Sequence, residues 1–338
     1  MFRRLLNFAT HRIYNLPVVV MMPHSSCNCR CIMCDIWKAN QNKKEIPVEV
    51  LEKHLAPFRK LGVREVVLSG GEALLHSNLW RMCALLKSQN IKITLLSTGL
   101  LIKKFASEIV THIDHVIVSI DGSEEVHDRI RNVPNAFRKV SEGIRELRLR
   151  VSNFPITARC VLQHHNFHDF VNIVRAAKDM GIDQISFLPA DVSSSAFNRM
   201  SEPGDVHDIV LGKDEAIAFQ KIITESFDLL REEYESKFIT ESPAKMLKLV
   251  QYYKAINDLG EFPEVVCNAP WVSAVLETDG SVMPCFFHKP FGNIYESDFM
   301  QIINSKKAVE WRRNLDMTND PVCRKCVCTL KLRLTQMS

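Results

Sequence analysis

Three cysteines stand close together near the start of the chain, Cys27, Cys31 and Cys34, in the spacing C-x3-C-x2-C. Three thiolates on one short loop can hold three irons of a [4Fe–4S] cubane and leave the fourth iron open to a small molecule, which a closed four-cysteine site cannot do. Spacing alone also allows three ligands of a zinc site, and Cys29 permits a different ligand set. A second group, Cys267, Cys285, Cys323, Cys326 and Cys328, lies near the other end. Four of these suffice for one closed cluster, with Cys328 as spare or alternate ligand, and a zinc ribbon is the competing reading. Only Cys83 and Cys160 fall between the two groups. Eleven cysteines without a secretory signal point to metal or redox chemistry in a reducing, cytoplasmic compartment rather than to structural disulfides.

These residues need a scaffold, and the hydrophobic pattern supplies one. Short β-rich runs at Val18–Met22, Glu65–Ser69, Lys92–Ser97, His115–Ile120, Thr157–Leu162 and Gln184–Leu188 alternate with amphipathic helical stretches. Repeated βα units require crossovers and therefore a parallel sheet with helices outside. Six such units predict an α/β fold, a partial (β/α)6 barrel, whose ligand site lies at the carboxyl ends of the strands. The cysteine loop directly follows the first strand. The second strand ends in Ser69-Gly70-Gly71-Glu72, where two glycines let the backbone approach a ligand closely. Thr98-Gly99 ends the third strand and either touches a ligand or turns the chain.

The expected division is an N-terminal amphipathic helix (1–16), the barrel (17–192), a linker and helical connector (193–262), and a small metal-held domain (263–338). Asp191–Gly204 is rich in Ser, Pro and Gly, and helices are predicted over 213–237 and 243–258. Thr278-Asp279-Gly280 is a strong hairpin signal between Trp271–Glu277 and Ser281–Cys285. The net charge of +4 is too mild to imply nucleic acid. The longest apolar run, around Leu16–Pro23, is far short of the roughly 20 residues of a membrane span. The sequence HHNFH, with His164, His165 and His168, falls at a strand-to-helix turn and is read as an ordinary polar turn.

The segment CNCRCIMC resembles the cluster motif of the radical S-adenosylmethionine (SAM) superfamily, and Ser69-Gly70-Gly71-Glu72 resembles that family's GGE motif. The likeness continues through Val118-Ser119-Ile120-Asp121-Gly122, the following EEVHDRIR and the surroundings of Arg159. The C-terminal pattern, with Gly280 five positions before Cys285 and Gly292-Asn293-Ile294 beyond it, resembles SPASM/Twitch auxiliary-cluster domains. The resemblance implies that Cys27, Cys31 and Cys34 hold a SAM-binding [4Fe–4S] cluster. It further implies that Gly70, Gly71, Glu72 and Thr98 border SAM, that Ser119 and Arg159 hold its carboxylate, and that Asp121 faces the substrate. Cys267, Cys285, Cys323 and Cys326 would hold one auxiliary [4Fe–4S] cluster, the Twitch form. Met33 stands where many relatives have an aromatic.

The implied reaction is reductive cleavage of SAM to a 5′-deoxyadenosyl radical that takes a hydrogen atom from a substrate, with an electron donor such as flavodoxin or ferredoxin. The main expectation is oxidation of a small molecule such as a sugar or cyclitol. Only 26 residues precede Cys27, which as read here leaves no room for a peptide-recognition domain. A peptide- or protein-modifying maturase or an epimerase is the alternative, and a non-catalytic iron–sulfur or zinc sensor or scaffold is the reading of another class.

Overall fold

A computed structural model describes residues 2–194, 196 and 208–333. Of the expected linker, Ser195 and residues 197–204 lie outside the described residues. Six parallel strands form the body of the sheet: β1 (Val18–Met21), β2 (Glu65–Leu68), β3 (Lys92–Ser97), β4 (His115–Ser119), β5 (Ile156–Leu162) and β6 (Gln184–Pro189). Helices α1 (Phe2–Thr10), α2 (Val48–Leu61), α3 (Leu79–Ser88), α4 (Ala106–His112), α5 (Glu124–Arg131), α6 (Ala136–Arg150) and α7 (Phe170–Asp179) precede, connect or follow them. All six predicted strands are present, with ends displaced by at most one residue.

Strand parity sorts the side chains. Along β5, Ile156, Ala158, Cys160 and Leu162 are buried against the helices, while Arg159 and Val161 face the inside of the barrel. On β4, Val116 and Val118 point to the helices, and Ile117 and Ser119 point inward. Cys160 therefore sits away from the site. Cys83, on α3, is fully buried in the core.

The connector is packed. α8 (Lys213–Leu229), α9 (Arg231–Glu235) and α10 (Pro243–Ile256) turn back onto the open side of β6. Ile185 N donates to the Phe238 carbonyl at 2.7 Å, and Phe187 N donates to the Glu241 carboxylate at 2.9 Å. The Tyr253 hydroxyl donates to the Leu162 carbonyl and accepts from Ala190 N at 2.9 Å. These bonds occupy backbone groups that an edge strand would leave free.

The C-terminal hairpin forms at Asp279-Gly280, but it is not a sheet of its own. After α11 (Ala269–Val272), which takes Trp271 and Val272 out of the expected strand, β7 (Ser273–Leu276) pairs parallel to β1, with Val18 opposite Ser273. β8 (Ser281–Met283) and β9 (Gly292–Asn293) extend it antiparallel, giving one nine-stranded sheet in the order β6-β5-β4-β3-β2-β1-β7-β8-β9. The free edge of β1 is what β7 satisfies. Two short helices, α12 (Phe299–Ile303) and α13 (Lys306–Asn314), complete the region. α1 covers the end of the sheet near α11: Asn7 Nδ2 donates to the Trp271 carbonyl at 2.8 Å, and Phe8 stacks on Trp271. No helix among the described residues is long and apolar enough to cross a membrane.

Candidate active site at the carboxyl ends of the strands

A cavity of about 250 Å³ opens at the carboxyl ends of the barrel strands. Cys27, Cys31 and Cys34 lie on its wall with Gly70, Gly71, Thr98, Ser119 and Arg159. The expected site residues are thus largely brought together.

The cysteine loop is held from three sides. Asn40 grips the main chain of Cys27 at both ends: Cys27 N donates to Oδ1 and Nδ2 donates to the Cys27 carbonyl, each at 2.9 Å. The GGE loop holds the residue before it, because Glu72 N donates to the Ser26 carbonyl at 2.9 Å. On the far side, Arg30 N and Ile32 N donate to the carbonyls of Arg131 and Ile130, each at 3.1 Å. These carbonyls end α5, where a helix has no internal partners left for them.

Gly70 and Gly71 are required by geometry. Gly70 has a φ of +105°, and a Cβ at Gly71 would lie 2.1 Å from the Ser26 carbonyl oxygen. Two extended loops can touch there only because no side chain intervenes.

Two expected site residues lie elsewhere than anticipated. Glu72 does not reach the cavity wall; it is fully buried. Its Oε2 accepts Thr98 N at 2.8 Å, the Thr98 hydroxyl at 2.7 Å and the Ser97 hydroxyl at 2.9 Å, and its Oε1 accepts Leu74 N at 3.1 Å. Burial raises its pKa, while these donors oppose the rise. Glu72 ties the β2 loop to the end of β3 and leaves the loop backbone to face a ligand. Asp121 is also fully buried. It pairs with the Arg131 guanidinium and its Oδ1 accepts Val161 N at 3.0 Å. It is off the cavity wall and meets the site's residues through Arg131 and Val161. The turn after β4 fixes its main chain, with the N–H donating to His127 Nδ1 and the carbonyl accepting from Asn166 Nδ2, and its carboxylate lies between Arg131 on α5 and Val161 N on β5.

Sequence reading passed over several residues that share the site. Arg131, in the quoted EEVHDRIR segment, donates from Nη1 to Cys31 Sγ at 3.5 Å. Cys31 has a lowered pKa, through hydrogen bonding with the Cys29 thiol first and then the Arg131 charge. Phe286, Phe287, Val327 and Cys328 bring the C-terminal region to the cavity wall. Cys328 is already among the candidate ligands; no sequence signal marks Phe286, Phe287 or Val327, because their approach depends on β7 joining β1.

Near the C-terminus, Cys267, Cys285, Cys323, Cys326 and Cys328 are all half-buried. Asn268 holds the Cys267 end against the last described residues, with Leu332 N donating to its Oδ1 at 3.0 Å. Asp320 accepts Cys323 N at 2.8 Å, and the His288 ring lies 3.4 Å from Cys323 Sγ.

Spacing tests which metal group these donors suit. Two thiolates bound to one zinc at about 2.3 Å each cannot lie more than about 4.6 Å apart. Among the described residues, only His288, Asp320 and Cys323 gather three such ligand atoms within 4.8 Å. Neither cysteine set converges on a single ion. A cubane places its irons at separate corners, so thiolates farther apart than one ion allows are compatible with it.

A model of the radical SAM superfamily matches residues 21–177, and a model of the SPASM iron–sulfur cluster-binding domain matches residues 267–327. The chain carries a radical SAM domain and, at its C-terminal end, a SPASM iron–sulfur cluster-binding domain. The cofactors of a radical SAM protein with a SPASM domain follow: SAM, the [4Fe–4S] cluster that binds it, and auxiliary cluster chemistry at the C-terminal end. Over 290 residues, 82% of its length, the radical SAM chain is 25% identical to the antilisterial bacteriocin subtilosin biosynthesis protein AlbA of Bacillus subtilis. It spans 57% of that relative's length. Over 315 residues it is 20% identical to the sporulation killing factor maturation protein SkfB of the same organism, covering 92% of this chain and 68% of SkfB. The fold matches Streptococcus suis SuiB, in a crystal structure bound to the precursor peptide SuiA, with a TM-score of 0.66. That match covers 96% of this chain and 73% of SuiB at 16% identity.

Proposed function

We propose that this radical SAM enzyme modifies a peptide, with a hydrogen atom taken from a residue held over the barrel. The supporting observation is that relatives matching 82% and 92% of the chain carry names in bacteriocin biosynthesis and killing-factor maturation. SuiB, similar in fold across both regions, has been crystallised with a precursor peptide. The comparisons thus favour the alternative over the expected oxidation of a sugar or cyclitol, which they do not support. That expectation leaned on the short stretch before Cys27.

In this reading Cys27, Cys31 and Cys34 hold the SAM-binding cluster, and Cys267, Cys285, Cys323 and Cys326 hold one auxiliary cluster. When bound, cluster and SAM together supply reductive generation of a 5′-deoxyadenosyl radical. The chain's own residues orient and shield. The Ser69-Gly70-Gly71 backbone and the Thr98 hydroxyl border the SAM site, and Ser119 and Arg159, side by side on β4 and β5, take its carboxylate by charge-assisted hydrogen bonding. Phe286 and Phe287 close the cavity from the C-terminal side and exclude water. The division at residues 17, 193 and 263 belongs to this proposal, as does a flavodoxin- or ferredoxin-type electron donor.

The experiment is anaerobic. Reconstituted protein with SAM and a reductant is expected to form 5′-deoxyadenosine, and addition of the cognate precursor peptide is expected to change that peptide's mass or deuterium content. Equal 5′-deoxyadenosine from a variant with Cys27, Cys31 and Cys34 all changed to Ala would sink the radical reading. Turnover of a sugar or cyclitol, with no peptide altered, would sink the peptide reading.

A further inference from the structure

One buried ion pair reaches the cysteine loop directly. Arg131 is 6% exposed, and its guanidinium spans two partners. Nη1 donates to Cys31 Sγ at 3.5 Å, and Nη2 pairs with Asp121, which is wholly buried. The same residue's carbonyl accepts Arg30 N, one position before Cys31. Ile130, its neighbour, accepts Ile32 N, one position after. The last turn of α5 therefore holds Cys31 by its side chain and by the peptide groups on both sides of it.

We infer that Arg131 is a positioning residue for Cys31 that raises the reduction potential of the SAM-binding cluster, and that Asp121 orients its guanidinium and partly cancels its charge. This rests on the reading of Cys27, Cys31 and Cys34 as cluster ligands. The physical argument has three parts. An N–H donated to a ligating sulfur draws electron density from it and favours the reduced cluster. A buried cation next to the cluster does the same through space, because the surroundings screen it weakly. A buried anion beside that cation works the other way. Lysine cannot replace Arg131, since one ammonium on a flexible stem lacks the planar fork that reaches sulfur and carboxylate together.

The signs separate this role from a structural one. Arg131→Gln removes the cation and leaves the Asp121 charge, so the potential is expected to fall. Asp121→Asn keeps an oxygen to accept Val161 N but removes the anion, so the potential is expected to rise. Damage to the fold would not push the two in opposite directions. Arg131→Lys is expected to recover only part of the loss.

The test uses full-length protein, anaerobically reconstituted, with iron content measured for each variant. The EPR signal that changes on adding SAM identifies the N-terminal cluster, and its midpoint potential is followed by redox titration. A fall in Arg131→Gln with a rise in Asp121→Asn supports the inference. Unmoved potentials, or shifts of the same sign, overturn it. If Arg131→Gln cannot retain a cluster, Asp121→Asn decides: no rise overturns the inference. A wild-type signal indifferent to SAM would instead overturn the cluster reading itself.

Discussion

Glu72 and Thr98 meet twice: the carboxylate Oε2 accepts both the backbone N–H and the hydroxyl of Thr98, at 2.8 and 2.7 Å. This joins the carboxyl ends of β2 and β3 in a place with no solvent. With Ser97 and Leu74, four donors converge on the two oxygens. Glu72→Gln replaces one of those oxygens by an NH2 group, so at least one backbone donor loses its acceptor. The expected cost is about 1–3 kcal/mol. Calorimetry should show a lowered Tm, and an unchanged Tm would contradict this account of the carboxylate. SAM affinity should fall as well, because the Gly70-Gly71 backbone is aimed by the same loop.

Gly71→Ala should damage the site more selectively. The added Cβ meets the Ser26 carbonyl oxygen at 2.1 Å, so the GGE loop and the cysteine loop must separate. Overpacking of this kind costs about 1–3 kcal/mol. The expected result is retained secondary structure by circular dichroism with at least about tenfold weaker SAM binding by calorimetric titration, the equivalent of about 1.4 kcal/mol.

Glu277, at the end of β7, carries a pH dependence. Burial first, and the nearby Asp279 charge second, raise its pKa from 4.5 to about 7. The folded state therefore binds its proton more tightly than the unfolded state. That contribution to stability is full below about 4.5 and is lost as the pH rises through about 7. Glu277→Gln removes the charge, so Tm measured at pH 8 should rise relative to the wild type. At pH 4 the two proteins should melt alike. A Tm difference independent of pH would rule out this role for Glu277.

Cys326 and Cys328 should behave differently. Cys328 lies on the wall of the cavity that also holds Cys27, Cys31, Cys34 and Arg159. With Cys267, Cys285, Cys323 and Cys326 as the auxiliary ligands, Cys328→Ser keeps both clusters and about eight irons per chain, whereas Cys326→Ser falls toward about four. Iron and sulfide analysis after anaerobic reconstitution reads the difference directly. Loss of iron in Cys328→Ser would move that residue into the ligand set.

Much of the site could be read because its signals are local. Three cysteines within eight residues must lie on one loop, and alternating apolar runs must become strands with that loop at their carboxyl ends. Strand parity put Arg159 and Cys160 on opposite faces, and the fold decided that Arg159 is the inward one. The misreadings concern residues whose direction depends on partners far along the chain. Asp121 and Glu72 have the chemistry of ligand-facing carboxylates, yet each is consumed by donors from other strands and helices.

What the sequence determined alone was the set of groups able to do chemistry and the βα order that carries them, because periodicity and spacing act over a few residues. Tertiary structure decided which of those groups face the cavity. Arg131 reaches Cys31 across 100 residues, and β7 closes on β1 across more than 250. Such contacts form only when distant backbone groups must find hydrogen-bond partners away from water, and no local pattern records which partners they find.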